Sequence, residues 1–394
     1  MTLPSPSLKT ARPAPGPGPG AAAFAERLAV LRAEIDRALE AWLAAKRRTL
    51  AGVSPESAEL VDEVARLVAG GGKRLRPALV ELAYRASGGR SAEAPLRLGL
   101  ATELLHTYLL IHDDVMDRAS LRRGRATTHS AFAERLEAPS RVERRAEGRG
   151  ERRHGDAGHF GLSVAILAGD LAHSFAVELS RPGRVGAEGT PAEGDPAAVA
   201  AAFEAMCEEV IGGQYLEMLL PHRAEPTEDE LLRVLRLKSG RYTVARPAEL
   251  GALLAGAGEG VVAGFFRWGE AAGEAFQLQD DVLGTFGDSG AVGKPVASDL
   301  AEGKHTFLVH HALEGAAPED REWLRTTLGR GELTAAELER ARAVLRDSGG
   351  LAAVQDRIEE RLDEARRALD DLPLPAPALA PFASFLDYLR ERDR

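Results

Sequence analysis

Asp113 and Asp117 stand four residues apart at the end of an apolar, helix-period run, LLHTYLLIHDDVMD. On a helix, residues i and i+4 lie one above the other on the same face, and like charges so placed cost about 0.2–0.5 kcal/mol. A divalent cation gives the pairing a purpose, since Mg²⁺ takes a few carboxylates together with phosphate oxygens. Arg122, Arg123 and Arg125 follow around Gly124, and guanidiniums fork onto phosphate. Carboxylates beside guanidiniums suit a diphosphate-bearing ligand. So short a pattern, by itself, is more simply a solvated acidic helix end followed by a basic loop.

Other stretches carry related chemistry. In GGGKRLRP, glycines that allow a close backbone approach precede Lys73 and Arg76, and Pro77 starts a helix. Cations ahead of a helix N-terminus oppose its dipole unless an anion binds between them and the first amides. The segment alone leaves open whether it is an anion site or a solvated linker. His106 lies seven residues before Asp113, two turns back on the same face, where a histidine is more often a satisfied interior group than a ligand. A second acidic pair, Asp280-Asp281, follows Gln277 by three residues on one side of a helix. Lys238 and Ser239 precede it, and a Gly/Lys-rich loop behind it carries Lys294 and Lys304.

Around these residues the sequence reads as helix. The 394 residues are 44% hydrophobic, enough for a sizeable core. A net charge of −10 argues against nucleic-acid binding, because no basic excess exists to neutralise phosphates. The single cysteine, Cys207, sits among apolar helix positions; it rules out a disulfide framework within the chain and fits a reducing, cytoplasmic compartment. No apolar run is expected to span a bilayer. Residues 1–20, rich in Pro and Gly, are expected to form a disordered tail, and residues 21–394 a single-domain, all-α helix bundle with a central cavity. Helices are expected from Ala21 to about Lys46, from Pro55 to Gly70 with Ser54 as cap, from Pro77, from Pro95 through Asp113, from His159, over Ala197–Leu220, behind a Thr227/Glu230 capping box, and over Val261–Phe286. Two or three more are expected after Pro318. Residues 134–156, dense in Arg and Glu without an apolar period, read as a mobile charged insertion. No alternating strand pattern, GxGxxG or P-loop is present.

Taken together, GGKRLRP, DDVMD with LRRG, KSG, FQLQDDVLG, GKP and EGKHT resemble the trans-isoprenyl diphosphate synthases, in that family's order and spacing, from about Val61 to His311. The resemblance implies a Mg²⁺-dependent prenyltransferase that joins isopentenyl diphosphate to an allylic diphosphate (dimethylallyl, geranyl or farnesyl), with three Mg²⁺ expected and a homodimeric assembly. It implies that Asp113, Asp117 and Asp280 hold metal. Arg122, Lys238, Ser239, Gln277, Lys294 and Lys304 match positions that contact the allylic substrate. Lys73, Arg76, His106 and Arg123 match the isopentenyl diphosphate pocket. The catalytic set is then Asp113, Asp117, Arg122, Lys238 and Asp280.

Two features depart from the family's pattern: Gly284 stands where many members have a third aspartate, and the charged insertion is unusually long. A class I terpene cyclase shares the first aspartate motif, but an NSE-type metal motif needs an asparagine, and the chain has none. A non-catalytic synthase subunit would show degraded metal motifs, whereas here the first motif and both cationic pockets are intact. The growing product needs an apolar channel running back along the first aspartates' helix, so Leu109 and Leu105, one and two turns below Asp113, should line it. Tyr108 falls off that face by the helical wheel; only the resemblance makes it an aromatic floor. Together with non-aromatic Leu109, that floor implies a geranylgeranyl (C20) product, farnesyl (C15) being the nearest alternative.

Overall fold

The computed structural model describes residues 18–137, 156–181, 193–223, 226–287, 298–331 and 333–391. The architecture is all-α. In chain order the helices are α1 (Pro19–Ala51), α2 (Ser57–Ala69), α3 (Leu75–Ala86), α4 (Glu93–Met116), α5 (Thr128–Glu137), α6 (Ala157–Ser180), α7 (Pro196–Leu219) and α8 (Glu228–Val234). A π-helical segment, Leu235–Ala245, leads into α9 (Arg246–Leu254) and α10 (Glu259–Phe286). Then come α11 (Ser298–Glu302), α12 (Phe307–Gly315), α13 (Pro318–Thr327), α14 (Ala335–Asp347), α15 (Gly350–Asp370) and α16 (Ala376–Glu391).

The bundle is organised around α4 and α10. Along α4, Leu98, Leu100, Ala101, Leu104 and Leu105 are all buried, so the helix is enclosed on nearly every side, as a helix apolar all round must be. Each fully buried leucine contributes on the order of 1.5–3 kcal/mol. That outweighs the few tenths of a kcal/mol lost to paired carboxylates at the helix end. α10 buries Phe265 and Trp268 against Phe382 and Phe385 of α16. Its fully buried Glu274 is matched by Arg236 at 2.9 Å and Arg357 at 2.8 Å, which ties α10 to the π-helical segment and to α15. Unpaired, that carboxylate would be costly.

Where α10 crosses the π-helical segment the backbones touch: a Cβ at Gly273 would collide with the carbonyl of Gly240. On the other side, a Cβ at Gly213 of α7 would come within 2.5 Å of the Lys238 amide. Glycine is required at these positions because two helices approach to main-chain distance. The wider winding between them puts the Lys238 stretch in a conformation that is rare and mostly found at functional sites.

Several boundaries differ from expectation. α1 starts at Pro19 and runs to Ala51, taking in two residues expected in the tail, and residues 1–17 lie outside the described residues. Ser54 Oγ accepts from the Ser57 amide at 3.3 Å, but α2 starts only at Ser57 with Glu56 as its N-cap, so Ser54 ties the turn ahead of the helix and is not its cap as expected. α3 begins at Leu75, which puts Arg76 in its first turn and not ahead of it. The capping box at Thr227 and Glu230 is present. Glu134–Glu137 belong to α5, and the rest of the charged insertion up to residue 155 lies outside the described residues. The chain from Pro318 forms four helices, because Gly331 and Gly349, both with positive φ, break the run. Strand is not wholly absent: Leu121–Arg122 pairs antiparallel with Arg125–Ala126 around a two-residue turn. Both turn residues, Arg123 and Gly124, have positive φ, as a tight hairpin turn matched to strand twist needs. By length and composition α6 is apolar enough to cross a membrane, contrary to the sequence expectation; in the fold it packs on α4 and α5. Cys207 is buried, and burial pushes its thiol up to about 12, which makes it inert.

Candidate active site

A cleft of about 1740 Å³ opens between the C-terminal half of α4, the start of α3, the hairpin, the π-helical segment and the C-terminal half of α10. Eleven of the residues singled out from sequence line it: Lys73, Arg76, His106, Asp113, Arg122, Arg123, Lys238, Ser239, Gln277, Asp280 and Lys304. Asp117 reaches the same place through Lys304, whose Nζ is 3.3 Å from its Oδ2. Lys294 lies outside the described residues.

The acidic end of α4 is tied to surrounding cations. Asp113 accepts from Arg122 Nη2 at 3.3 Å and lies 3.4 Å from Lys238 Nζ. Asp114, buried beneath, takes Arg122 Nε at 2.8 and 2.9 Å through its two oxygens and so fixes that guanidinium's plane. No cation occupies the last turn of α4, so its carboxylates sit at the negative end of a helix dipole. Lys238 also pairs with Glu217 of α7. Burial alone would lower the Lys238 ammonium, but Glu217 and Asp113 outweigh it and hold the charge on. Lys304 behaves likewise, raised against burial by Glu217, Asp299, Asp117 and Glu302.

Across the cleft, Gln277 donates to Asp281 Oδ1 at 2.8 Å. Burial first, then Asp299, raises the Asp281 carboxyl well above its usual range. Gly284 leaves room that Asp299 approaches, its Oδ2 3.6 Å from where a Cβ would stand. A carboxylate from α11 thus adjoins the position of the missing third aspartate.

The second cationic group gathers at the start of α3. Arg76 lies with its guanidinium carbon 4.1 Å from the centre of the Tyr242 ring and donates through Nη2 to Thr243 Oγ1 at 2.9 Å. Its Nε is buried and finds no hydrogen-bond acceptor among the described residues. Tyr242 Oη in turn meets His106 Nδ1 at 2.9 Å. Burial, then Arg76, Arg122 and Arg123, hold the His106 imidazole well below its usual pKa, so it is neutral at pH 7. Arg123 donates to the carbonyls of Gly70 and Gly71, which draws the hairpin onto the glycine loop.

The donor set fits a hard divalent cation. Every candidate ligand is a carboxylate oxygen, and ammonium groups already lie against Asp113 and Asp117. Among the described residues no three His, Cys, Asp or Glu side chains converge into a complete cage.

Glu217, Asp114, Tyr242 and Asp299 join the site without having been singled out from sequence. Asp114 adjoins Asp113 in sequence, whereas Glu217, Tyr242 and Asp299 are brought in by tertiary packing against Lys238, His106 and Lys304. Tyr108, Leu109 and Leu105 are elsewhere. Besides His106 and Asp113, the cleft takes Glu103, Thr107 and Leu110 from α4, whereas Leu105 is fully buried and Leu109 and Tyr108 are partly buried in a neighbouring apolar cluster. The Tyr108 ring packs there against His112 at 4.7 Å and His173 of α6 at 5.0 Å.

The sequence matches the polyprenyl synthetase family over residues 58–345. It is 32% identical over 338 residues to the geranylgeranyl diphosphate synthase of Methanosarcina mazei, covering 85% of this chain and 90% of that one. It is 34% identical over 328 residues to the geranylfarnesyl diphosphate synthase of Aeropyrum pernix, covering 83% and 92%. Among solved structures, the geranylgeranyl pyrophosphate synthase of Corynebacterium glutamicum, complexed with isoprenyl diphosphate and magnesium, superposes with a TM-score of 0.78 at 30% identity, over 95% of this chain and 98% of that one.

Proposed function

The chain belongs to the polyprenyl synthetase family, and from that premise we propose that its cleft joins isopentenyl diphosphate head-to-tail to dimethylallyl, geranyl and farnesyl diphosphates, giving geranylgeranyl diphosphate and pyrophosphate. The observation that carries this reading is the meeting, in one cleft, of carboxylates from α4 and α10 with two sets of cations borne by different segments. Incubating the purified protein with Mg²⁺, isopentenyl diphosphate and each allylic starter tests it. The expected result is a C20 product; absence of any elongation overturns it.

Asp113, Asp117 and Asp280 are the residues that would hold Mg²⁺, three ions with substrate bound, and the bound ions would offset charge growing on the departing diphosphate. Arg122, Lys238 and Lys304 add fixed positive charge on the same diphosphate, with Ser239, Gln277 and Lys294 as further contacts. As the allylic C–O bond breaks, its electron pair leaves with the diphosphate. The allylic cation is left against apolar wall such as Leu110 and Phe276, where water is excluded. Lys73, Arg76, Arg123 and neutral His106 hold isopentenyl diphosphate so that its double bond faces that cation. The new C–C bond forms, and the proton released passes to the departing pyrophosphate. No side-chain base or covalent enzyme intermediate is required.

Product length rests on Tyr108. Leu105 and Leu109 pack beside it, and the channel would extend from the cleft into this cluster. Tyr108→Ala opens apolar volume there, which can accept further prenyl units. Chromatography of the dephosphorylated alcohols should show products longer than C20; an unchanged distribution would remove Tyr108 from the floor.

The chain also fits a homodimer. Ile211, Tyr215 and Met218 form an exposed stripe on α7, and Phe160, Leu162, Ile166 and Leu167 are exposed on α6, a helix that contacts α7. An apolar patch of this kind marks an association surface, and a second copy would cover it. Light scattering should give twice the chain mass; a monomer at assay concentration removes the proposal. We infer a cytoplasmic setting, a reading supported by the chain's single cysteine.

A further inference from the structure

Arg74 has no place in the scheme above, yet it is the most constrained residue of the glycine loop. Its φ is 53°, a left-handed conformation that strains any side chain with a Cβ. Its guanidinium is also buried, the side chain only 5% exposed. Nε donates to Asp36 Oδ1 of α1 at 2.7 Å, Nη1 to Glu103 Oε2 of α4 at 2.7 Å, and Nη2 to the Val68 carbonyl of α2 at 2.6 Å. Glu103 is as buried as its partner, at 4%. Gly71 turns with φ 87°, and a Cβ at Gly72 would come within 3.2 Å of Arg74 Nη1, so the glycines leave the fork its room. A second left-handed arginine, Arg123, holds the carbonyls of Gly70 and Gly71 from the hairpin side. Backbone strain and a buried charge in one residue persist only where the surroundings over-determine them. Here they coincide between two cations, one residue after Lys73 and two before Arg76.

We propose that Arg74 is a positioning residue for isopentenyl diphosphate: its fork, clamped by Glu103, Asp36 and Val68, sets the loop that presents Lys73 and Arg76 to that diphosphate. This rests on the reading above that Lys73 and Arg76 bind isopentenyl diphosphate. Arg74 and Glu103 themselves line the cleft, but each guanidinium nitrogen is already taken by Asp36, Glu103 or Val68, so the clamp acts through the loop it holds. It joins α1, α2 and α4 at one point and hands their rigidity to the loop. Lys73 is then exposed at the cleft, and Arg76 lies over the Tyr242 ring with one N–H unpartnered among the described residues.

The test is a double variant, Arg74→Met with Glu103→Leu. It removes opposite charges together, so the net charge around the pocket is unchanged and no buried charge is left alone; apolar replacement of a buried pair is commonly tolerated. The melting curve should stay close to that of the natural protein. The KM for isopentenyl diphosphate should rise by about 10-fold or more, the scale of a misplaced binding group, while the KM for the allylic substrate stays within about 2-fold. Arg74→Lys keeps the charge against Glu103 but lacks the planar fork, and should show the same one-sided rise even if the double variant folds poorly. Unchanged KM values in a folded variant, or equal rises for both substrates, overturn the positioning role. Arg76→Ala separates the two levels. If it leaves the isopentenyl KM unmoved, the pocket assignment itself is wrong. If it raises that KM while the Arg74 variants do not, only the clamp falls.

Discussion

Asp113→Ala with Asp117→Ala should lower kcat by about 10³-fold or more while the chain remains folded. The expected size follows from the role: charge stabilisation felt mainly in the transition state is worth about 10²–10³ for a single lost group in a water-excluded site, and two carboxylates are removed here. The fold should survive because no cation is orphaned. Lys238 keeps Glu217, Lys304 keeps Asp299 and Glu302, and Arg122 keeps its two-oxygen contact with Asp114. The helix itself should gain slightly. Two negative charges leave the negative end of the α4 dipole, and alanine is the better helix former. The check is steady-state kinetics in saturating Mg²⁺ beside a thermal melt. Turnover within a few-fold of the natural protein would show that the metal pair has been misassigned.

Arg76→Ala should raise the KM for isopentenyl diphosphate by about 10- to 100-fold, the equivalent of one charge-assisted hydrogen bond or a bidentate pair. The effect on the allylic KM should be several-fold smaller. Arg76 is pre-aimed by the Tyr242 ring and by Thr243 Oγ1 and has one buried N–H to spare, so little ordering is left for the ligand to impose. The allylic side is served by other cations, Lys238 and Lys304, which are anchored on Asp113, Glu217 and Asp117. Equal rises for both substrates would mean that the cleft does not hold two separate diphosphate sites. Initial-rate kinetics with each substrate varied in turn decide the matter.

Much of this site was legible because its parts are local. Asp113 and Asp117 share a face by helical period alone, and His106 reaches the cleft with Asp113 for the same reason. Gln277 bonds Asp281 one turn on. The capping box at Thr227 needed no tertiary information. The two-residue hairpin escaped detection because it is too short to show alternation. Its signal was the Arg-Gly pair at its turn, a weaker form of the Asn-Gly and Asp-Gly signature.

What the sequence determined by itself was the inventory: an all-α chain, two carboxylate-bearing helices and the cationic loops that accompany them, all written in short-range spacing. What only the tertiary structure decided was which sides of those helices face each other. A helical wheel assigns a face by contrast between apolar and polar residues, and α4 offers little contrast because it is buried nearly all round. The cleft therefore takes Thr107 and Leu110, with Leu105 and Leu109 turned into the adjoining core. The same holds for the ion pairs. Arg74 with Glu103, Lys238 with Glu217 and Arg236 with Glu274 each join segments distant in the chain. A buried charge must find an opposite charge wherever packing brings one, and no local period records where that will be. The π-helical winding at Lys238 has the same origin, set by Gly213 on one side and Gly273 on the other, two backbones pressing on a third.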